Sequence, residues 1–373
     1  MSNPLKTHRL LISGVLLRID SIHKLINTNH KRPVYGFPKD IFMHITQAKN
    51  KLATYIHDHV EKLLGVKDDI RTHDIIEFLE VIAGIYVESC FLFEKPDIAM
   101  SEGFEKLSAS LGVAPTDAVI PYQSISHPQK LDARTEQGRA LARSVLEEFG
   151  ECEFSFCEFI LWMVSNYLVD WEGNNIPRSD GFRLFMDAAT RCMAFEISAQ
   201  ELCDIVIEKR IGTSDWSLAD AVCGLSAYAG YKYGMTQANH GKEFYQDSHI
   251  DMIVYVMTQE AVRMGVPAGS NWRLGLVAND SPADPPTELI ESITPLCRDF
   301  FSALNLMNGA EQSVACAKAA GRMLAVVACG DTAELPHAIA KPLAMAALME
   351  SYRALMALHP GLISSEASTH VDF

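Results

Sequence analysis

Phe154-Ser155-Phe156-Cys157-Glu158-Phe159-Ile160-Leu161-Trp162-Met163-Val164-Ser165-Asn166-Tyr167-Leu168-Val169 is apolar nearly all the way round a helical wheel. A surface helix needs a polar face, so a helix with almost none belongs in the centre of a bundle. This stretch therefore decides for a helical interior over a sheet, and the flanking sequence agrees. Arg134 to Phe149 is rich in Ala, Leu, Arg and Glu, all good helix formers. Upstream, apolar residues recur at three- and four-residue spacing, as in Ile41, Ile45, Ala48, Leu52, Tyr55 and Ile56, which predicts helices over 5–28, 38–64 and 72–94.

Downstream, helices are expected at 215–234, 243–264, 287–307, 310–328 and 334–358. Ser198-Ala199-Gln200-Glu201 has capping-box spacing, and Asp331-Thr332-Ala333-Glu334 offers an N-cap acid with Glu three residues on, so both read as helix starts. Ile250 to Met257 is β-branched enough for a buried strand, but the continuation through Thr258 to Arg263 favours a helix by length. Gly265 to Pro286, broken by glycines and prolines, reads as a long loop. No repeat of fixed period emerges. The expectation is an all-α, irregular multi-helix bundle.

Charge suggests how that bundle is divided. The 373 residues are 48% hydrophobic and 21% charged, with a net charge of −15. Residues 1–112 balance 14 Lys and Arg against 14 Asp and Glu, whereas 113–373 hold 18 against 33. Between them runs a segment with Pro115, Pro121 and Pro128 and no helical period. The reading is an N-terminal helical unit over 1–112, a linker or long loop over 113–132, and an acidic helical bundle over 133–373. Excess acid disfavours general nucleic-acid binding, which needs clustered Lys and Arg. No run approaches the roughly 18 to 20 apolar residues of a membrane span, and Met1 to Lys6 lacks a signal-peptide core, so a cytoplasmic protein is expected. The nine cysteines are odd in number, scattered and without a Cys-x-x-Cys pair; they read as small core hydrophobes.

Three constellations have the residue types that chemistry needs. Seven of the thirteen histidines lie in the first 112 residues. There His44, His57, Asp58, His73 and Asp74 follow the ligand order of helical metal-dependent phosphohydrolases, and imidazoles with carboxylates would suit a divalent metal. Against this stand ordinary i, i+4 ion pairs such as His57 with Glu61. Glu158, flanked by Cys157, Phe159 and Trp162, reads as a buried acid whose raised pKa would suit a general acid, unless an arginine such as Arg183 or Arg191 pairs with it. The run from Asn239 to Asp251 brings His240, Glu243, Asp247 and His249 to a loop-to-helix junction, where scaffolded loops often carry reactive groups, though it is equally a solvated helix start.

Other motifs fall away. Tyr228-Ala229-Gly230-Tyr231-Lys232 fits Tyr-x-x-x-Lys but has no Gly-rich strand-to-helix turn before it. No nucleotide-binding motif, nucleophile elbow, His-Glu-x-x-His or calcium loop is present. With no specific catalytic signal, the leading expectation is an interaction or regulatory protein that engages a protein partner through helical surfaces and the 265–286 loop. In that loop Trp272 and Arg273 are of types enriched at hot spots. The alternatives are a helical metal-dependent hydrolase, and a binder of an apolar small molecule between Phe156, Trp162, Tyr228, Tyr231 and Met252. A homodimer is the base-rate expectation for assembly.

Overall fold

A computed structural model describes residues 45–65, 72–114, 128–149, 155–172, 176–213, 216–240, 248–268, 285–303, 308–328 and 336–358. Among them are eleven α-helices and no strand: α1 (Ile45–Leu64), α2 (Thr72–Cys90), α3 (Pro96–Leu111), α4 (Pro128–Phe149), α5 (Phe156–Glu172), α6 (Arg178–Val206), α7 (Leu218–His240), α8 (Ser248–Arg263), α9 (Pro286–Ala303), α10 (Gly309–Ala328) and α11 (His337–Ala357). The all-α expectation holds, and the ambiguous 250–257 stretch is helical within α8. No described helix is long and apolar enough to cross a membrane.

Two helices lie deepest. In α2, Ile75, Val81, Ile82, Ala83, Ile85, Tyr86 and Val87 are all inaccessible, and α2 packs on α4 and α6. In α10, nearly every residue from Ala310 to Val327 is buried. Its run of Ala, Gly, Ser and Cys makes a thin helix that lets α6, α7 and α8 approach closely. Helix α6 touches both α2 and α10. Buried apolar side chains from Leu52 to Met356 accordingly form one cluster, to which residues on both sides of position 112 contribute. Residues 128–132, placed in the connection by the sequence pattern, form the first turn of α4, with Leu131 fully buried.

The α2–α4 crossing is set by two glycines. A Cβ on Gly84 would strike the Thr135 carbonyl, and one on Gly138 would strike the Val81 carbonyl. Each helix thus presents a missing side chain to the other's backbone, bringing their axes close enough for ion pairs with short reach.

Several helix boundaries depart from expectation. Ser198 does not start a helix: α6 begins after Pro177 and runs straight through to Val206, burying Ser198 completely. The spacing of a capping box was present, but Phe182, Phe185 and Phe195 on the preceding turns are all buried, and that packing carries the helix through. Helix α3 was not anticipated, although its signals are plain. Pro96 stands at its start, and Gly112 closes it at φ +65°, where Val113 N–H reaches back to the Ser108 carbonyl. The Asp331 to Glu334 start lies outside the described residues.

Candidate functional site: a buried charge node

The largest polar structure in the described interior is a node of ten charged side chains drawn from five helices. Asp132, Glu136, Arg139 and Arg143 recur along α4 at four-, three- and four-residue intervals, which aligns them on one face. Lys318 and Arg322 are four apart on α10, Glu260 and Arg263 three apart on α8, Glu196 stands on α6 and Glu88 on α2.

Glu196 is the hub. Its Oε1 accepts from Lys318 Nζ at 2.6 Å and from the Arg139 guanidinium, and its Oε2 accepts from Arg322 at 2.7 Å and Arg263 at 3.2 Å. Around it, Lys318 Nζ also donates to Asp132 Oδ1 at 2.9 Å. Arg322 donates to Glu260 Oε1 at 2.6 Å and to Gln200 Oε1 at 2.9 Å. Arg263 donates to Glu260 Oε2 at 2.8 Å. Arg139 reaches Glu88 at 2.7 Å and Glu136 at 3.3 Å, and Arg143 closes the outer edge on the same two acids at 3.1 and 2.6 Å. Five cations thus face five acids. Removing an isolated charge from water costs several kcal/mol, and only dense mutual pairing of this kind offsets that cost.

The electrostatics follow from who surrounds whom. Burial alone would raise the Glu196 carboxyl, but Arg139, Lys318, Arg263 and Arg322 outweigh it and hold it well below the usual range. Glu260 is likewise held down to about 2 by Arg263 and Arg322 against its burial. Asp132 behaves oppositely. Burial dominates there, Lys318 offsets only part of it, and the neighbouring Glu196 and Glu136 push the same way, so its carboxyl rises to about 6. Glu196 and Glu260 are therefore fixed countercharges rather than proton carriers at neutral pH.

Gly321 on α10 sits against the Met257 carbonyl and Glu260 Cβ of α8. That close approach is what brings Glu260 within reach of Arg322, one residue along from Gly321.

The residues expected from sequence to form a site fall elsewhere. Glu158 is exposed, its side chain 62% accessible, and pairs with Lys106 at 2.9 Å, which corrects the reading of a buried acid. Arg191, suggested as its partner, instead engages Glu311 at 3.1 Å and Asp187 at 3.5 Å. The reason is geometric. Glu158, Trp162, Asn166 and Val169 form a stripe at four-, four- and three-residue spacing on the outward face of α5, so an apparently uniform apolar helix has a solvent face after all.

His57 is half-buried, with Nδ1 at 3.1 Å from the Tyr167 hydroxyl and Nε2 at 3.0 Å from Glu61, so both ring nitrogens have local partners. Asp58 is exposed on the same helix and Asp74 is half-buried on α2. Among the described residues no three His, Cys, Asp or Glu side chains gather as a metal site. His44 and the side chain of His73 lie outside the described residues, as do Glu243 and Asp247, the side chains of His240 and His249, and Trp272 and Arg273. Of the aromatic residues proposed to line an apolar pocket, Phe156 stacks on Phe159 and Phe159 on the half-exposed Trp162. Tyr228 is fully buried beside Tyr231 on α7, and Met252 is half-buried on α8.

A surface cleft of about 430 Å³ opens where α6 ends in a π-helical turn, Ile207–Ile211, between Ile205, Lys209 and Arg210 on one side and Pro295, Leu296 and Phe300 of α9 on the other. Arg210 is spent on structure there, donating to the Ser292 carbonyl and lying over the Trp216 ring.

Comparison with protein-family models, with curated proteins and with solved structures finds no match.

Proposed function

We propose that this is a helical interaction or regulatory protein whose work is to engage another protein. The observation that carries the reading is the turn after α2. There Phe91, Leu92 and Phe93 are 37, 48 and 47% exposed, and Ile98 on the first turn of α3 is 45% exposed. Cys90, immediately before, is completely buried, and the Arg139 guanidinium sits 5.7 Å from the Phe91 ring centre. Four large apolar side chains are thus held out from a rigid base. Aromatic anchors of low conformational freedom are what hot spots use, and clustered exposed apolar groups mark binding surfaces.

The partner that fits is a different protein offering an apolar pocket. A chain of net charge −15 repels its own copies, which argues against self-association as the main use of this turn. At the charge node Glu196 and Glu260 are held as ions, so the node itself is a structural junction and the docking turn carries the reading. The cytoplasmic setting remains part of the proposal: the seven described cysteines all stand as free, buried thiols, as suits a reducing compartment.

The test is a photo-crosslinking residue placed at Leu92 in cells, with exposed Glu105 as the control position. One discrete heteromeric product at Leu92, absent at Glu105 and abolished by Phe91→Ser with Phe93→Ser in a chain of unchanged circular dichroism, is the expected result. Products of two copies of the chain would reassign the turn to a homodimer, and identical smears at both positions would overturn the reading.

A further inference from the structure

Cys90 and Cys157 are 67 residues apart in the chain, yet their sulfurs approach to 3.9 Å where the end of α2 meets the start of α5. We propose that Cys90 and Cys157 are a redox-active pair in which a hydroperoxide oxidises Cys157 and Cys90 resolves it as a reversible disulfide. This inference does not rest on the docking turn.

The geometry divides the roles. Cys157 is the second residue of α5, where unpaired backbone N–H groups and the positive end of the helix dipole favour a thiolate. It is 6% exposed and lies between two exposed residues in a short stretch, since Ser155 and Glu158 both face solvent. Cys90 is wholly buried. A small peroxide therefore meets Cys157 first. The Cys90 thiol, giving its proton toward Cys157, holds that group down to about 7, with Ser89 and Tyr86 acting the same way against its burial. The same contact, together with burial, pushes Cys90 up. One sulfur is thus prepared as the nucleophile and the other as the reserve thiol.

In the first step the Cys157 thiolate attacks the outer oxygen of ROOH. The O–O bond breaks, the outer oxygen goes to sulfur with its own hydrogen so that Cys157 becomes a sulfenic acid, and RO⁻ leaves and takes from solvent the proton that the Cys157 thiol gave up on ionising, departing as ROH. In the second, the Cys90 sulfur attacks Cys157 sulfur, and the expelled hydroxide takes the Cys90 proton and departs as water. Two electrons pass from the two sulfurs to the peroxide oxygens. A dithiol reductant reverses the bond by exchange. Closing 3.9 Å to the roughly 2.05 Å of a disulfide asks for side-chain rotation of two residues at helix ends, where backbone yields most easily.

A second buried thiol contact provides an internal control. Cys297 and Cys316 are also interacting neighbours, but both are completely inaccessible. The experiment exposes the full chain to hydrogen peroxide under native conditions, blocks remaining thiols, and maps peptides by mass spectrometry without reduction. The expected result is a Cys90–Cys157 link, two hydrogens lighter than the sum of its peptides, that forms before any Cys297–Cys316 link and disappears with dithiothreitol. In Cys90→Ser, Cys157 is expected to stall as a sulfenic acid trapped by dimedone. In Cys157→Ser, Cys90 is expected to stay reduced. Absence of the link in the unsubstituted chain, a link from Cys157 to some other cysteine, or formation of both buried links at one common rate would each overturn the proposal, the last because it reports global opening rather than a built site.

Discussion

Lys318 and Glu196 meet at 2.6 Å with each side chain only 3% exposed, and every other helix of the charge node reaches them or their direct partners. This pair is the point at which α6 and α10 are electrostatically joined. Breaking a buried pair by removing one charge typically costs about 3–5 kcal/mol, because the surviving partner stays buried without compensation. Glu196→Gln leaves four cations facing a neutral amide, so its loss is expected at the upper end of that range. Lys318→Met takes from Asp132 its buried cation and leaves Glu196 with three of its four. Urea unfolding of both variants and the double variant is expected to show strong non-additivity, with the double costing less than the two singles combined.

Asp132 gives the node a pH dependence of unusual sign. Its carboxyl is raised to about 6 in the folded chain from an ordinary value near 3.8. Between those values the folded state binds more protons than the unfolded one, so this group's contribution to stability falls as pH rises through the window and is constant above it. Glu196 and Glu260, both held low, contribute in the opposite direction, with stability lost as pH falls below about 4.5, for Glu260 toward 2. Asp132→Asn removes only the first effect. Its stability relative to the unsubstituted chain is therefore expected to climb by up to about 3 kcal/mol between pH 4 and pH 7, as read from urea midpoints at several pH values. A flat difference would mean that Asp132 titrates normally.

The α2–α4 crossing is expected to tolerate no side chain. Alanine at Gly84 or Gly138 gains about 1 kcal/mol of helix propensity, but each new Cβ meets backbone, which cannot rotate away. Net destabilisation of about 1–3 kcal/mol is expected from either, measured as a lowered midpoint. Because Arg139 and Glu88 are on these two helices, the same variants are expected to weaken the node.

Glu158 supplies the contrasting case. Its pair with Lys106 is exposed on both sides, and such pairs contribute little. Glu158→Gln is expected to leave the urea unfolding midpoint unchanged within error. A clearly lowered midpoint would show that the exposed pair bears structural weight after all.

The sequence announced helices but not which charges they would bury. Local signals located α1 and α2 by apolar spacing, α4 by its helix-forming composition and α5 by its nearly continuous apolar run, and the helices from α7 onward were bracketed in the same local way. Ser198 misled because capping chemistry is local, whereas the burial of the phenylalanines that carry α6 past it is decided by α2 and α10. The Glu158 stripe was readable from spacing, but Trp162 within it looked like core. The node was hidden differently. Glu196 within Cys192-Met193-Ala194-Phe195-Glu196-Ile197, and Lys318 with Arg322 in an Ala-rich helix, are charges inside apolar runs. That oddity is legible, whereas the mutual neutralisation that makes it tolerable requires five helices to be placed together.

The wide spacing of the node's members along the chain sets an order of events during synthesis. Asp132, Arg139, Glu196, Glu260 and Arg263 all emerge from the ribosome before Lys318 and Arg322. Until those two cations appear, Asp132 has no buried counterion and Glu196 lacks half of its donors, so closing the interior early would strand unpaired acid in a dry core. The growing chain is expected to hold the described helices α1 to α9 loosely packed and await α10, whose arrival seals the bundle late and all at once. A ribosome stalled short of residue 318 should therefore display a protease-sensitive chain, and one stalled well beyond α10 a resistant one.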